Sequence, residues 1–552
     1  MIYPKIPLAQ SIIEICQSKS INHIVISPGS RNAPLTIGFA NNPNFTCYSI
    51  ADERCAAFFA LGLAQQLQTP VAVVCTSGSA LLNYYPAVAE AYYSQIPLIV
   101  ISADRPHDKI DIGDGQTIRQ ENVYANHILY SANLQEEASE QNDALINEAI
   151  AVARFQKGPT HINAPFEEPL YETVTEPTVN VQVHYTTMNP IVFDGDITPY
   201  KEKWNAAKKK LILVGVNQPN AIDKAVIEYI ANDPSVVVMT ETTSNLHHPS
   251  FLNSIDTIIT PFRPEDFEAY KPEILVTFGG MVVSKRVKAF LRNYPPQEHW
   301  HIDTLRAYNT FGVLTQHFIE DPNTFLQSFL KQTKQVESNY SAMAQQLNSF
   351  RRIKHDEYLA KIPFTDFKAF ELILPSLPDN SQLQIGNSSA IRYAQLFDIK
   401  PTVEVFCNRG TSGIDGITST AVGAAVGSNK ETVVITGDVS FLYDSNALWN
   451  NYIPKDFKVI VINNGGGGIF RILPGHAETP VFNTYFETAH NLTAEHLAKM
   501  YGFGYQSAHN EVELKEELTT FMQKTGSPKL LEVFTPMLEN DKVLLQYFKE
   551  LV

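Results

Sequence analysis

Residues 459–470 read VIVINNGGGGIF: four β-branched apolar residues, two asparagines, four glycines, then Ile469 and Phe470. The run 459–462 has the unbroken apolar character of a strand buried on both faces, as in a parallel sheet covered by helices. It gives way abruptly to Asn463, Asn464 and the four glycines. Each glycine raises the entropy cost of ordering the chain, so folding alone does not ask for such a run. A main chain that must come very close to something does. Upstream, VVITGDVSFLYDSNALWN at 433–450 has the same build, a strand running into Gly437-Asp438 and then a helical pattern. Asp438 and Asn464 are 26 residues apart, room for a strand end, one helix and a parallel strand returning to the same sheet edge.

A carboxylate and a carboxamide oxygen would then face one site beside glycine carbonyls. Oxygen ligands, only one of them charged, suit Mg²⁺ or Ca²⁺ better than zinc. Mg²⁺ also leaves positions for phosphate oxygens, and a helix starting after Gly437-Asp438 would turn free N–H groups toward them. The local chemistry reads as a metal-bridged diphosphate site. A glycine-rich turn with a capping Asp fits the same residues, and the loop alone leaves both readings open. A Walker loop is excluded because no Lys follows the glycines, and no GxGxxG fingerprint stands between a strand and a helix. The GDG at 113–115 follows no strand and has no Asn pair at the matching distance.

The rest of the chain repeats the strand–helix alternation. HIVIS (23–27), VAVVCTS (71–77) and PLIVISA (97–103) predict buried parallel strands, with helices such as DERCAAFFALGLAQQ between them. Residues 171–200 lose helical period and read as a surface linker. A second unit runs through KKKLILVGVN, SVVVMT, EILVTFGG and HWHID. Polar, helix-prone residues 333–360 lead to a third unit with strands at TVEVFCN, TVVITG, KVIVIN and KLLEVFT. The expectation is three doubly wound α/β domains, at 1–175, 195–335 and 361–552. With 552 residues the chain exceeds one hydrophobic core. A net charge of −16 argues against a general nucleic-acid binder. Five scattered cysteines without metal spacing suit a reduced, cytoplasmic protein. No apolar run approaches the length of a membrane span, and the N-terminus lacks a signal-peptide pattern.

Gly-Asp, about 25 residues, then Asn-Asn resembles the metal–diphosphate signature of thiamine-diphosphate enzymes, and the resemblance covers the whole chain. The usual third glycine of that signature is Val439 here. That departure, with SPGSRNAPLT, ADERCAAFFALGLA, TSGSALLNYYPAVAEA, ISADRP, NRGTSGIDG and GDVSFLYDSNAL, is similar to the 2-succinyl-5-enolpyruvyl-6-hydroxy-3-cyclohexene-1-carboxylate synthases of menaquinone biosynthesis. The resemblance implies pyrimidine-binding, central and diphosphate-binding domains in that order. It implies Mg²⁺, with Mn²⁺ as the alternative, held by Asp438, Asn464 and the Gly466 carbonyl against thiamine diphosphate. Gly437, Val439, Ser440, Ser388 and Ile469 would adjoin the cofactor, and Ile414 would support its bent form. Glu53 would hydrogen-bond the aminopyrimidine and promote the reactive tautomer. Its place at the start of an apolar helix supports this, because a buried carboxylate needs a partner. A first-turn carboxylate favoured by the helix dipole, or one paired with Arg54, is the alternative for the residues alone.

The family joins 2-oxoglutarate to isochorismate: decarboxylation gives a succinic-semialdehyde carbanion equivalent, which adds in conjugate fashion to the ring acid. Two dianions call for fixed cations, and arginine matches planar carboxylates. By the resemblance these are Arg31, Arg105, Lys285, Arg286, Arg392 and Arg409. Ser30 and Gln116 add polar contacts, and Phe470 and Leu473, with Ile469, wall the pocket against water. Pyrimidine and diphosphate are gripped by different subunits in the family, which implies a homodimer or homotetramer. The alternative is another thiamine-diphosphate 2-oxoacid decarboxylase or carboligase of the acetolactate-synthase type. A non-catalytic scaffold is disfavoured by the intact Glu53, Asp438 and Asn464, and a nicotinamide dehydrogenase by the missing fingerprint.

Overall fold

The structure, a computed structural model, describes residues 2–186, 191–473, 475 and 478–552. Three parallel sheets succeed one another along the chain. In the first, the spatial order is Thr46–Ser49, His23–Ile26, Val71–Cys75, Leu98–Asp104, Pro159–Pro165, Tyr130–Asn133. The second runs Val236–Thr240, Lys210–Val214, Ile274–Phe278, Glu298–Ile302, Gln316–Phe318. The third runs Glu404–Phe406, Gln382–Ile385, Thr432–Gly437, Lys458–Asn463, Lys529–Phe534, Gly504–Ala508. Each sheet places its second strand outermost, then its first, third and fourth. Winding therefore reverses between the first and third strands of every unit. The loops leaving those two strand ends diverge and open a crevice at the C-terminal edge, the place where doubly wound folds bind ligands.

Central strands such as Val71–Cys75 and Ile274–Phe278 are buried along their whole length, as continuous apolar runs require when helices cover both faces. The first and third units are joined by close helix packing. Helix Glu53–Leu67 lies on helix Ile417–Ser428. A Cβ on Gly62 would stand 2.0 Å from the Thr420 carbonyl oxygen, and one on Gly423 would stand 2.0 Å from that of Phe59. Only residues without side chains let the two backbones meet there. One apolar cluster runs through this contact from Val73 and Phe59 to Val434 and Val459.

In the stretch expected to cross the surface, Thr173–Val174 pairs antiparallel with Tyr3–Pro4, and Thr198–Ala206 is a helix. Residues 187–190 of that stretch lie outside the described residues. Helix Tyr340–Leu359 precedes the third unit. Among the described residues no helix is long and apolar enough to cross a membrane.

Candidate functional site

Strands Thr432–Gly437 and Lys458–Asn463 are parallel neighbours, with Gly437 opposite Ile462. Asp438 and Asn464 therefore leave the same edge side by side. Asp438 is buried, and its Oδ1 accepts the Val439 N–H at 2.6 Å while Oδ2 accepts the Gly466 N–H at 3.0 Å. His490 Nε2 lies 3.4 Å from Oδ2, and its interaction with Asp438 raises the imidazole pKa. The two asparagines divide their work. Asn463 donates to the Leu492 carbonyl at 2.9 Å and to Glu532 at 2.7 Å, bracing the sheet. Asn464 donates from Nδ2 to Asp366 at 2.9 Å, and its Oδ1 is buried with no partner.

The glycines are there for backbone reasons. Gly465 is left-handed at φ 77°, and a Cβ on Gly466 would stand 2.7 Å from the Glu487 carbonyl oxygen. That same carbonyl accepts the Gly467 N–H at 2.6 Å. At Gly437 an added Cβ would meet no atom within 4 Å, so the strand end opens onto a space that a small residue keeps clear. A buried, unpaired carboxamide oxygen is costly unless something takes its lone pairs. With the Asp438 carboxylate beside it, the donors are oxygens of the kind Mg²⁺ prefers. The Gly466 carbonyl accepts the Gly468 N–H at 3.0 Å and retains a second lone pair. Among the described residues no three His, Cys, Asp or Glu side chains converge as a metal cluster. A cation here would therefore depend on the amide and carbonyl oxygens, and the donor set fits one. The helix after Gly437 begins at Asp438 but ends at Tyr443, too short for much dipole field.

Around this edge the buried Ser440 donates its hydroxyl to the Ile414 carbonyl at 2.5 Å, so it positions the half-exposed Ile414. Ser388 precedes helix Ser389–Ala394 at φ 68°, a strained conformation for a residue with a side chain. The loop that carries Ile414 is tied down twice. Asn387 donates to the Asn408 and Gly413 carbonyls, each at 2.7 Å. The buried Glu90 of the first unit accepts the Gly410 and Thr411 N–H groups at 2.7 Å and the Thr411 hydroxyl at 2.8 Å. Ile469 and Phe470 lie in the turn Gly468–Ile472, with Phe470 edge-on to Phe486. Leu473 follows, 42% exposed, and Arg471 between them forms a buried ion pair with Glu487.

The structure brings four of the sequence-predicted cations together. Lys285 and Arg286 occupy the first turn of helix Lys285–Asn293, the end where the helix dipole disfavours positive charge. Arg286 and Arg392 both bear electrostatically on the half-buried Asp256. Arg392 interacts in turn with Arg409 and Glu241. Glu241 accepts the Val283 and Ser284 N–H groups at 2.6 and 2.7 Å, and burial pushes its pKa up to about 7. The Nε atoms of Arg392 and Arg409 are buried without partners. Sequence reasoning did not find Glu241, Asp256 or Lys288, whose own pKa burial lowers. Lys288, one turn beyond Lys285 in SKRVKAF, was the nearest signal.

The remaining candidates stand at the first sheet. Ser30 and Arg31 follow strand His23–Ile26. Arg31 is buried and donates to the Phe166 carbonyl at 3.0 Å and to Glu168 at 3.1 Å. Arg105 follows strand Leu98–Asp104 and donates to the Gly115 carbonyl at 3.2 Å, its Nε buried and unpaired. Gln116 is left-handed at φ 57°. Glu53 opens helix Glu53–Leu67, half-buried; burial first, and then the charge of Asp52, raise its pKa. It is not paired with Arg54, which donates to the Tyr443 carbonyl at 2.7 Å and covers the Tyr443 ring. Among the described residues no side chain donates to the Glu53 carboxyl group, and no bond joins it to Asp438 or Asn464.

Two family models match the chain. Residues 6–127 match "Thiamine pyrophosphate enzyme, N-terminal TPP binding domain", and residues 384–533 match "Thiamine pyrophosphate enzyme, C-terminal TPP binding domain". The chain is 66% identical to a 2-succinyl-5-enolpyruvyl-6-hydroxy-3-cyclohexene-1-carboxylate synthase of Flavobacterium johnsoniae, with all of both chains covered. It is 54% identical to the enzyme so named in Christiangramia forsetii, covering 99% of each. The corresponding protein of Bacteroides thetaiotaomicron is 38% identical over 98% of each.

Proposed function

Because the chain belongs to the family of 2-succinyl-5-enolpyruvyl-6-hydroxy-3-cyclohexene-1-carboxylate synthases, thiamine-diphosphate enzymes that form a carbon–carbon bond, we propose which of its residues do what. The enzyme decarboxylates 2-oxoglutarate and joins the remaining four-carbon unit to isochorismate, a step of menaquinone biosynthesis. The observation that carries the site assignment is the buried, unpaired Asn464 Oδ1 beside Asp438. Asp438, Asn464 and the Gly466 carbonyl would hold Mg²⁺, or Mn²⁺ in its place, and the open strand end at Gly437, with Val439 and Ser440, would receive the diphosphate. When bound, the thiazolium ring supplies the electron sink for loss of carbon dioxide and for the bond that follows.

The protein's own part is positioning, proton control and exclusion of water. Ile414, with its carbonyl held by Ser440, would support the cofactor, and Ser388 lies at the adjacent strand end. Glu53 holds a proton at its carboxyl group toward the pyrimidine nitrogen. Its raised pKa favours the protonated form that such a hydrogen bond needs. Arg392, Arg409, Lys285 and Arg286 receive the substrate carboxylates on one side, and Ser30, Arg31, Arg105 and Gln116 on the other. Ile469, Phe470 and Leu473 close the crevice, which protects the four-carbon unit from protonation by water.

Residues 1–175 act as the pyrimidine-binding unit, 195–335 as the central unit and 361–552 as the diphosphate-binding unit. Glu53 of one subunit serves the Asp438–Asn464 edge of another, so the working form is at least a homodimer and a tetramer is compatible. The five thiols form no disulfide, as suits a cytoplasmic enzyme.

The assay supplies thiamine diphosphate, Mg²⁺ and 2-oxoglutarate, with and without isochorismate. Carbon dioxide release coupled to isochorismate loss, with an adduct of the expected mass, is the expected result. Release indifferent to isochorismate would instead identify a decarboxylase or a different acceptor.

A further inference from the structure

A carboxamide has two ends of similar shape and opposite chemistry, and only one of them can ligate a cation. Nothing within Asn464 itself decides which end is bound and which is left free. The decision lies 98 residues upstream. Asp366, the first residue of helix Asp366–Ser376, is buried, and its Oδ2 accepts the Asn464 Nδ2 hydrogen at 2.9 Å. A carboxylate in that place has no hydrogen to give, so it can face only the NH₂ end of the amide.

Asp366 is itself fixed from two further directions. Its Oδ1 accepts the Thr535 hydroxyl at 2.5 Å, and its backbone N–H is taken by Asn540 Oδ1 at 2.8 Å. The Thr535 N–H is bonded to the Asn463 carbonyl at 3.0 Å, which locks this acceptor to the strand that ends at Asn464. The far end of the amide, Oδ1, is the buried oxygen left without a partner.

We propose that Asp366 is a positioning residue for the cation site: it fixes the Asn464 amide with Oδ1 turned toward the metal, and Thr535 fixes Asp366. The proposal rests on the reading of Asp438 and Asn464 as cation ligands. Asp366 ligates nothing and touches no substrate. It selects one of two amide orientations that otherwise compete, and the metal binds to that one alone. Without it, part of the population would present an NH₂ group to the cation.

The test reads Mn²⁺ affinity directly, by electron paramagnetic resonance of the free ion, on the full-length protein with thiamine diphosphate present and no substrate. Asp366→Ala is expected to weaken Mn²⁺ binding about 10- to 100-fold, the usual scale for the group that orients a ligand. Asp366→Asn is the informative companion. Its Oδ1 can still accept from Asn464 while its NH₂ donates to the Thr535 hydroxyl, but it no longer enforces that choice, so affinity should fall by clearly less than in the alanine variant. Asp366→Leu, which offers no acceptor and leaves no cavity, replaces the alanine variant if that one does not fold.

Asn464→Ala separates the two levels of the argument. If it leaves Mn²⁺ affinity unchanged, the ligand assignment fails and this inference with it. If it weakens binding while Asp366→Ala or Asp366→Leu does not, the ligand stands and the positioning role is overturned. Equal losses in the alanine and asparagine variants would also overturn it, because charge rather than orientation would then be what matters.

Discussion

The first and third sheets run their strands in the same order, yet their C-terminal edges are chemically unlike. At the third, Asp438 accepts from the glycine loop and lies 3.4 Å from His490, Asn464 donates to Asp366, and the carboxamide oxygen of Asn464 is left buried without a partner. At the first, Glu53 is a half-buried carboxyl group that no side chain of its own chain serves among the described residues, while Arg31 is already engaged by Glu168. One edge is a closely bonded cluster of oxygen donors. The other presents an acid without a side-chain partner among the described residues. The same fold can hold diphosphate or pyrimidine because function lies in the loops at the strand ends rather than in the sheet.

The contrast predicts two different losses. Asp438→Ala should abolish Mg²⁺-dependent cofactor binding, since it removes the only charged ligand of the set. Calorimetry with thiamine diphosphate and Mg²⁺ checks this, and undiminished binding would take Asp438 out of the metal site. Glu53→Gln should leave cofactor affinity close to the parent and lower turnover by about 100-fold or more, the scale of a lost general acid–base contribution. Normal turnover in that variant would break the comparison at its first edge.

The two variants together ask where the edges meet. When inactive Glu53→Gln and Asp438→Ala chains are co-refolded in equal amounts, half the dimers carry one chain of each kind. If sites form between subunits, each mixed dimer has one intact site and one with both defects. Activity should then return to about one quarter of the parent. If both edges of a site belong to one chain, no activity returns. Turnover measured against the mixing ratio distinguishes the outcomes.

How much of this could be read from sequence follows from the same contrast. Strands Val71–Cys75, Ile274–Phe278 and Lys458–Asn463 were legible because burial on both faces leaves an unbroken apolar run. Strand Gln382–Ile385 was not: it alternates glutamine with apolar residues, and Gln382 and Gln384 are nevertheless fully buried at the contact with Gln65. The edge strands Thr46–Ser49 and Tyr130–Asn133 are too short and too polar to announce themselves. Asp438 and Asn464 were readable because their spacing is local to one strand–helix–strand passage. Asp366 and Glu90 act across long stretches of chain, on Asn464 and on the Gly410–Thr411 loop. In sequence they are an ordinary first-turn aspartate and a lone acid in an apolar helix. The like strand order of the two outer units was also out of reach, since topology leaves no repeat in the residues themselves.

The smallest expected effect sits where the two units join. Asp444 is buried between them, accepting the Ser419 N–H at 2.8 Å, the Ser419 hydroxyl at 2.9 Å and the Cys55 thiol at 3.7 Å. Burial, outweighing those hydrogen bonds, pushes its pKa up to about 6. An unfolded aspartate titrates near 3.9, so the folded chain holds this proton more tightly than the unfolded one. The stabilising contribution of that proton is full below about pH 4 and is lost as pH rises through about 6, an effect of at most about 3 kcal/mol. Asp444→Asn keeps an acceptor for the Ser419 N–H and removes the titration. Its melting temperature relative to the parent should therefore climb between pH 5 and pH 7.5, with every other ionisable group common to both proteins. A difference that stays flat across that window would mean that Asp444 is ionised at no greater cost folded than unfolded. The seam between the first and third units would then be wetter than its packing implies.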